Sequence, residues 1–290
     1  MFEQLPCTFE TAEIFGRAHP EFSMSIRFQA ENRLPLVEME LYLYFVNDTS
    51  YYYAYKRQKV IKNEVYVTCI GHFNRKDYMD GFKIFVKTVD LLDKREKFLI
   101  VGDEQYTDPI LPLLKEYRFA FEEYPTILYY VSEKQERILM EKEPRPVPDG
   151  YELDISTTDD AKIITDSWIH AAPGEEEQTR MKLSVFPSPC VKFKGQPVAF
   201  ELVHANGMLN HLFVLKEHRG KLLGHIVQEE MARRLISENM IVFKTVETFN
   251  ESVIRNTDKS LHWTKNVKAD GSPLLRVFVA VWPEENEEKY

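Results

Sequence analysis

A proline-dense segment at the midpoint of the chain constrains how the chain can fold. Residues 141–150 read EKEPRPVPDG, with three prolines in ten residues. Proline fixes its own backbone and restricts the residue before it, so this segment is excluded from helices and central strands. The two halves, 1–145 and 146–290, are each close to the commonest domain size. The sequence therefore predicts an N-terminal α/β domain followed by a second domain.

Charge and cysteine content exclude several classes of protein. Lys plus Arg number 37 against 46 for Asp plus Glu, a net charge of −9, which argues against a broad basic surface for nucleic acid or anionic membranes. The three cysteines form no CxxC pair, so neither a disulfide scaffold nor a metal site is predicted. No apolar run approaches the ~20 residues of a membrane span, and the first residues match neither a secretory signal nor a transit peptide. We expect a soluble, intracellular protein.

Hydrophobic patterns predict an α/β first half. Val37–Val46 alternates two faces along a strand, and Asp77–Leu92 has apolar residues at helical spacing. Further strands are predicted at Glu64–Ile70, Lys97–Val101 and Thr126–Val131.

The second half has a clearer order of elements: strand, helix, loop, antiparallel strands, long helix, strand, helix and strand. Asn206-Gly207 is the strongest hairpin signal, and as a two-residue turn it joins Val198–Ala205 to Met208–Leu215. We expect a mixed, mainly antiparallel sheet with flanking helices.

Two polar or reactive positions of this half are predicted to be structural. Glu175–Glu177 is interpreted as a solvated loop, and Cys190 as a buried strand residue.

The segment from His211 to Gly224 carries the clearest functional pattern. It runs from a strand through a basic turn into a long helix, HLFVLKEHRGKLLG. A helix start presents free backbone N–H groups and a partial positive charge, and glycines allow close backbone approach. Lys216, Arg219 and Lys221 add charge in an otherwise acidic chain. The pattern is typical of a phosphate or pyrophosphate site, and an ordinary solvated turn is the alternative.

This segment resembles the acyl-CoA loop of the GNAT superfamily of N-acyltransferases, R/Q-x-x-G-x-G/A between a strand and a helix. Arg219 and Gly224 match its first and last positions, whereas Leu222 departs from its fourth. The surrounding order of elements matches as well. The resemblance implies a GNAT-like C-terminal domain with acyl-CoA as co-substrate and no metal. The cofactor-binding residues it implies are Phe213, Val214, Leu215, Arg219, Gly220, Lys221, Leu222, Leu223, Gly224 and Asn250.

Within that superfamily, Asp166 to Thr257 resembles the glycine N-acyltransferase family. The matching pieces are Trp168, the run FPSPC that ends at Cys190, GQPV, and Glu217-His218-Arg219 at the loop. The resemblance implies transfer of an acyl group from acyl-CoA to the amine of glycine or a similar small acceptor. Members are often mitochondrial, so a mitochondrial or a cytoplasmic location is expected.

The resemblance fails at the general base, a glutamate in the family, because Met208 occupies that position. A two-residue turn would place Glu201 on the side of Met208, roughly 13 Å along the strands at ~3.3 Å per residue, a weak replacement. Histidine suits deprotonation of an amine. His204 and His211 would lie together on the opposite side, and His170 near the following loop. These three histidines are the catalytic candidates, and a half-buried sheet residue is the alternative for the first two.

Three functions follow from these patterns. The first is an acyl-CoA-dependent N-acyltransferase acting on glycine or a similar amine. The second is a catalytically impaired acyl-CoA-binding protein that acts by occupancy or partnering, which Met208 and Leu222 favour. The third is an interaction protein with a vestigial loop.

Overall fold

The computed structural model describes residues 1–59, 62–168, 171 and 173–284. The elements of the first half are β1 (Phe2–Leu5), α1 (Phe9–Glu13), α2 (Pro20–Ala30), β2 (Val37–Val46), β3 (Thr49–Gln58), β4 (Asn63–Ile70), α3 (Arg75–Thr88), β5 (Phe98–Asp103), α4 (Glu104–Thr107), α5 (Leu111–Glu116), β6 (Phe119–Tyr130) and α6 (Glu133–Glu141). Those of the second half are β7 (Tyr151–Ile155), α7 (Ala161–Asp166), α8 (Glu175–Val185), β8 (Pro189–Phe193), β9 (Gln196–Val203), β10 (Leu209–Val214), α9 (Leu223–Ser237), β11 (Phe243–Glu247), α10 (Glu251–Asp258), β12 (Thr264–Lys265) and β13 (Leu275–Pro283).

The α/β class and the mainly antiparallel sheet are confirmed. Within the described residues, one sheet holds the strands in the order β1-β2-β3-β4-β5-β13-β6-β11-β10-β9-β8-β7, with β12 beside β6. Val37–Val46 forms a strand over the predicted range because its alternation matches the two-residue period of a strand.

The two halves repeat one arrangement. In the first, β1 to β4 are antiparallel neighbours in chain order, and α3 then leads to β5, which is parallel to β4. In the second, β7 to β10 are antiparallel neighbours, and α9 leads to β11, which is parallel to β10.

The halves exchange their last strands. β6 of the first half pairs with β11 of the second, and β13 of the second half pairs with β5 of the first. β13 and β6 also pair with each other, so the sheet continues across the proline-dense segment. The division at residues 145 and 146 into two domains stays a prediction.

Helices cover both faces of the second half of the sheet. On the face that we call the α9 face, Val191 and Ala199 pack against Leu223, Ile226 and Val227 of α9. On the opposite face, which we call the α8 face, Cys190, Phe200 and Leu202 pack against Ala161, Ile164 and Leu183 of α7 and α8. Cys190 is fully buried in β8, in agreement with its predicted structural role.

The interpretation of Glu175–Glu177 as a solvated loop is wrong. These residues form the first turn of α8, where Glu175 is buried and accepts a hydrogen bond from Lys182 Nζ at 3.0 Å. Acidic side chains are stabilised at the N-terminus of a helix, because this is the positive end of the helix dipole. Glu175 and Lys182 are seven positions apart, two helical turns, so they share one face of α8.

The predicted two-residue turn between β9 and β10 is also wrong. His204 N donates to Met208 O at 2.7 Å, and Gly207 N donates to His204 O at 2.8 Å, so three residues form the loop. Gly207 adopts φ 87°, and a Cβ there would lie 2.6 Å from Met24. The loop tip therefore packs against α2 in a conformation that glycine allows.

The one-residue change in register reverses the predicted faces. Because opposed residues share a face, His204 lies on the side of Met208, and Glu201 lies on the other side. Glu201 is consequently not on the face of the family's base position.

No helix in the described part of the chain combines the length and the apolar character that crossing a membrane requires.

Candidate functional site

A wedge opens between the parallel strands β10 and β11. Their register contains a single pair, Leu209 with Lys244, and the strands diverge beyond it. β10 is also distorted by a bulge between Asn210 and Phe213, within which His211 has φ 55°. A bulge bends its strand and leaves the ladder locally unpaired. Together, the bulge and the single pair leave a gap in the middle of the sheet.

Main-chain groups of β10 face this wedge. Leu215 N donates to Val198 O of β9 at 2.9 Å, so the alternation of a strand turns the N–H and C=O of Val214 towards the wedge. The Val214 carbonyl accepts a hydrogen bond from Arg219 Nε at 3.0 Å. Phe213, Val214 and Leu215, three of the predicted cofactor contacts, are half-buried along this edge.

The loop at the mouth of the wedge has an exposed backbone. Arg219, Gly220, Lys221 and Leu222 are all exposed, and α9 has no side-chain cap at its N-terminus. A Cβ on Gly220 would meet nothing within 4 Å. The N–H groups of the first turn of α9 therefore present a partial positive charge to an open surface.

Leu222, which stands where the resembled loop has a glycine, adopts a left-handed backbone conformation that favours glycine. Its φ is 61°, in the left-handed region, which costs a residue with a side chain about 1 kcal/mol. The side chain is 58% exposed, so it does not fill the space in front of the helix.

The side chains of Lys221 and Arg219 contact the loop and strand β10. Lys221 Nζ donates to Glu217 O at 3.4 Å, and the Arg219 guanidinium lies 5.7 Å from the Phe213 ring centroid. The side of the wedge formed by β11 ends near Asn250, whose side chain accepts from Val253 N and caps α10.

His211 lies on the α8 face of the bulge in an aromatic setting. Its ring stacks on Trp168 at 5.6 Å, and its Nε2 lies 3.0 Å from Ser167 Oγ. The Ser167 hydroxyl donates to Ile164 O at 2.7 Å, so it accepts from Nε2–H.

His204 lies in a different environment. It is half-buried, its Nε2 is 3.7 Å from Glu64 Oε1 of β4, and its Nδ1 accepts from Asn206 N at 3.3 Å. Burial lowers the pKa of His204 to about 4, against the opposing effect of Glu64. This position favours a structural role at the junction of the two halves. His170 lies outside the described residues.

Met208 faces the α8 side of the wedge. Thr245 Oγ1 of β11 donates to Met208 Sδ at 3.2 Å. Glu201 points to the α9 face instead, where Gln228 Nε2 donates to its Oε1 at 2.9 Å. Burial raises the pKa of Glu201 to about 7. No sequence pattern indicates Ser167 or Thr245, which contact His211 and Met208 only in the folded chain.

The corresponding point of the first half is closed. β4 and β5 stay paired from Asn63–Tyr66 to Phe98–Val101. The N-terminus of α3 is capped by Asn74, whose Oδ1 accepts from the main-chain N–H groups of Lys76 at 3.0 Å and Asp77 at 3.1 Å. Its first N–H groups are therefore occupied by the chain itself.

A buried ion cluster further fills the first half. Arg276 of the exchanged strand β13 is 1% exposed and forms ion pairs with Glu21 and, at 3.2 Å, with Asp103. Burial lowers the pKa of His19, beside this cluster, to about 3, and the Arg276 charge acts in the same direction. In the described residues, no group of three or more His, Cys, Asp or Glu side chains is placed to hold a metal ion.

Comparisons with known proteins bear on the fold. No protein-family model and no curated protein matches the chain. A Drosophila protein structure matches 98% of this chain and 99% of its own, with a TM-score of 0.74 and 12% identity. A tandem GNAT protein from the clavulanic acid biosynthesis pathway covers 98% of this chain and 99% of its own, with a TM-score of 0.55 and 13% identity.

A third structure, a GCN5-related N-acetyltransferase from Kribbella flavida, covers 95% of this chain and 96% of its own, with a TM-score of 0.54 and 11% identity. At such identities the likeness concerns the fold. The chain therefore has the fold of the GNAT acetyltransferases.

Proposed function

We propose that the chain is an acyl-CoA-dependent N-acyltransferase with one active site, in the wedge of the second half. Glycine or a similar small amine is the proposed acceptor, on the strength of the sequence resemblance of Asp166 to Thr257. The same resemblance supports a mitochondrial location. The first half, in this proposal, completes and supports the sheet and binds no cofactor.

The observation that carries the proposal is the combination of wedge and open helix start. The uncapped α9 and the exposed Arg219–Leu222 loop offer N–H groups and positive charge to a pyrophosphate. The open end of the wedge lies beside that loop. The acyl-bearing part of acyl-CoA, which is attached to the pyrophosphate, would therefore enter between β10 and β11.

Main-chain polarity supports acyl transfer at this position. The Val214 N–H faces the wedge, where it is suited to polarise a thioester oxygen. Holding amine and thioester within attack distance supplies much of the rate in such reactions.

His211 is the proposed base. Its position in the bulge of β10 places it beside the gap between β10 and β11. An imidazole suits removal of a proton from the attacking amine. His204 is less suited, because burial disfavours its protonated form.

The test is release of CoA thiol from a panel of acyl-CoA esters with and without glycine. We expect thiol release that depends on both substrates, and a decrease in kcat of about 10²-fold or more for His211→Asn. Binding of acyl-CoA without amine-dependent release from any ester would contradict the proposal.

Occupancy without transfer is the second candidate, and Met208 favours it. A thioether takes up no proton at this position, where the resembled family has a glutamate. This candidate expects saturable acyl-CoA binding by calorimetry with no thiol release.

A further inference from the structure

A buried polar network lies under the wedge on the α9 face. Lys244 Nζ of β11 donates to Gln228 Oε1 of α9 at 3.2 Å, and Gln228 Nε2 donates to Glu201 Oε1 of β9 at 2.9 Å. These three residues, the Glu201–Gln228–Lys244 network, span the strand β10, which lies between β9 and β11.

The network is level with the bulge. Lys244 is opposite Leu209 at the single β10–β11 pair, and Glu201 stands between the residues that pair with Asn210 and Phe213. A lysine side chain is about as long as two strand residues, roughly 7 Å at ~3.3 Å per residue. Reaching Gln228 therefore carries the Lys244 ammonium from the apex of the wedge to the level of the bulge.

The charged groups of this network are almost completely buried. Glu201 is 2% exposed and Lys244 is 9% exposed. Glu201 Oε2 is buried without a hydrogen-bond partner in the described part of the chain. The indole of Trp263 covers Lys244 Nζ at 4.3 Å. Burying a carboxylate oxygen without a hydrogen-bond partner, and an ammonium at a distance from that carboxylate, lowers the stability of the folded chain.

Charges from neighbouring elements are largely paired elsewhere. Glu229 of α9 binds Arg145 at 2.7 Å and lies 3.8 Å from His262, and Lys265 of β12 binds Asp258 at 2.6 Å. Glu201 is the charge that acts on Lys244, and it partly offsets the burial that lowers the pKa of Lys244 to about 8.

We propose that Lys244 stabilises and protonates the CoA thiolate as it leaves, with Gln228 and Glu201 as the residues that position it. This proposal rests on the proposed acyl transfer in the wedge. An ammonium aimed at the place where negative charge develops, in a site shielded from water, stabilises the transition state. The polar amide of Gln228 fixes the Lys244 side chain in that direction.

The step balances as follows. The amine nitrogen forms a bond to the thioester carbon, and the C–S bond breaks with its electron pair staying on sulfur. The sulfur takes a proton from Lys244, and the surplus proton of the amine goes to His211. Both side chains return to their starting states by exchange with solvent.

A titration of bound CoA tests the proposal without turnover. The ultraviolet absorbance of the thiolate is followed against pH for CoA bound to the full chain. We expect the thiol of bound CoA to titrate about one pKa unit below that of free CoA, because the ammonium favours the thiolate. Lys244→Met should abolish this shift while CoA affinity changes less than about threefold.

Lys265→Met is the matched control. Lys265 also lies over an aromatic ring, 5.7 Å from the Tyr129 centroid, but it belongs to β12 and not to the wedge. This variant should keep the shifted thiol. An equal shift in Lys244→Met and in the unmodified chain would overturn the proposal.

The rate profile gives a second measurement. Loss of the acid form of Lys244 should lower kcat as pH rises through about 8, and Lys244→Met should lower kcat about 10²-fold. Lys244→Arg stays charged, so its alkaline fall should move above pH ~10. An unchanged alkaline limb in Lys244→Arg contradicts the assignment.

The outcomes separate the two proposals. Amine-dependent transfer, with the same kcat in Lys244→Met as in the unmodified chain, overturns the role of Lys244 alone. CoA binding without transfer overturns the enzyme and, with it, the role of Lys244 in stabilising a leaving thiolate. A chain that binds no CoA contradicts both.

Discussion

The parallel strands of the first half stay together, whereas those of the second half separate. β4 and β5 keep four register pairs, and β10 and β11 keep one. Asn74 caps α3, whereas no side chain caps α9. The same strand order therefore gives a closed core in one half and an open wedge in the other. The differences are the side-chain cap on α3, the bulge in β10 and the side chains between the parallel strands.

The difference lies in what each half buries. The first half packs Tyr78 and Phe82 of α3 against aromatic side chains that include Tyr51 and Tyr53 of β3. It also receives Arg276 from the far end of the chain. The second half leaves apolar side chains exposed near the wedge mouth, with Leu222 at 58% and Phe249 at 73%. A ligand that covers this surface would bury apolar side chains, and burial of apolar surface is also what stabilises the closed first half.

Removing the ion cluster should have the largest effect. Arg276→Met leaves Glu21 and Asp103 as unpaired buried carboxylates, so we expect a loss of about 3–5 kcal/mol in the free energy of unfolding. Urea denaturation measures it. Arg255→Met is the control, since its side chain is 67% exposed, and should cost less than ~1 kcal/mol. Equal losses would show that the cluster does not hold the first half closed.

The loop glycine should decide binding. Gly220→Asp places a carboxylate in front of α9, and we expect acyl-CoA affinity to fall about 100-fold, or ~3 kcal/mol. Calorimetry measures it. Gly271→Asp is a matched control, because Gly271 has φ 82° and, like Gly220 with φ 78°, open space around its Cβ position.

An equal loss of affinity in Gly271→Asp would point to net charge instead of the loop. Unchanged affinity in a folded Gly220→Asp chain would remove α9 from the site.

Acid should weaken the junction of the halves. The pKa of His204 is lowered from 6.5 to about 4. The unfolded chain therefore binds this proton first, and stability falls as pH drops from 6.5 to about 4. We expect His204 to contribute about 2 kcal/mol to this loss, measured by urea denaturation across that range.

His204→Asn should flatten the slope of stability against pH, and His72→Asn, at an exposed position, should leave it unchanged. An identical slope in His204→Asn would place the titration elsewhere, for example at His19, whose pKa is also lowered.

Restoring a carboxylate should have the smallest effect. Met208→Glu places the family's acid beside the wedge, on the face of His204 and Thr245. Partial burial raises the pKa of such a carboxyl into a range useful for a base. We expect kcat for glycine to rise about tenfold, with acyl-CoA affinity nearly unchanged.

Met208→Gln is the control of similar size that adds no base. A gain in both variants would show that polarity, not proton transfer, limits the rate. No gain in a folded, CoA-binding Met208→Glu chain would leave two interpretations, occupancy without transfer or a base elsewhere, and the effect of His211→Asn on kcat separates them.

Local patterns predicted much of the fold. The alternation of Val37–Val46 follows one period over a full strand, so the sequence predicts its position well. The hairpin was found, but its register was not, because Asn206-Gly207 suits both a two-residue turn and a three-residue loop. The packing of Gly207 on Met24 decides between them.

The remaining features depend on contacts that the sequence does not display. Arg276 pairs with Glu21 from the opposite end of the chain, so the exchange of β13 has no local signal. The Glu201–Gln228–Lys244 network joins three separate elements. The proposed acyl-CoA loop can be predicted from the sequence because its chemistry lies within one short segment.

Amide hydrogen exchange of the full chain, with and without acetyl-CoA, tests most directly whether the second half alone binds the cofactor. We predict slower exchange at Gly220–Gly224 when acetyl-CoA is present, and no change at Gly71–Asp77, the corresponding segment before and within the first turn of α3. Protection of Gly71–Asp77, or equal exchange at Gly220–Gly224 in both conditions, would contradict the account.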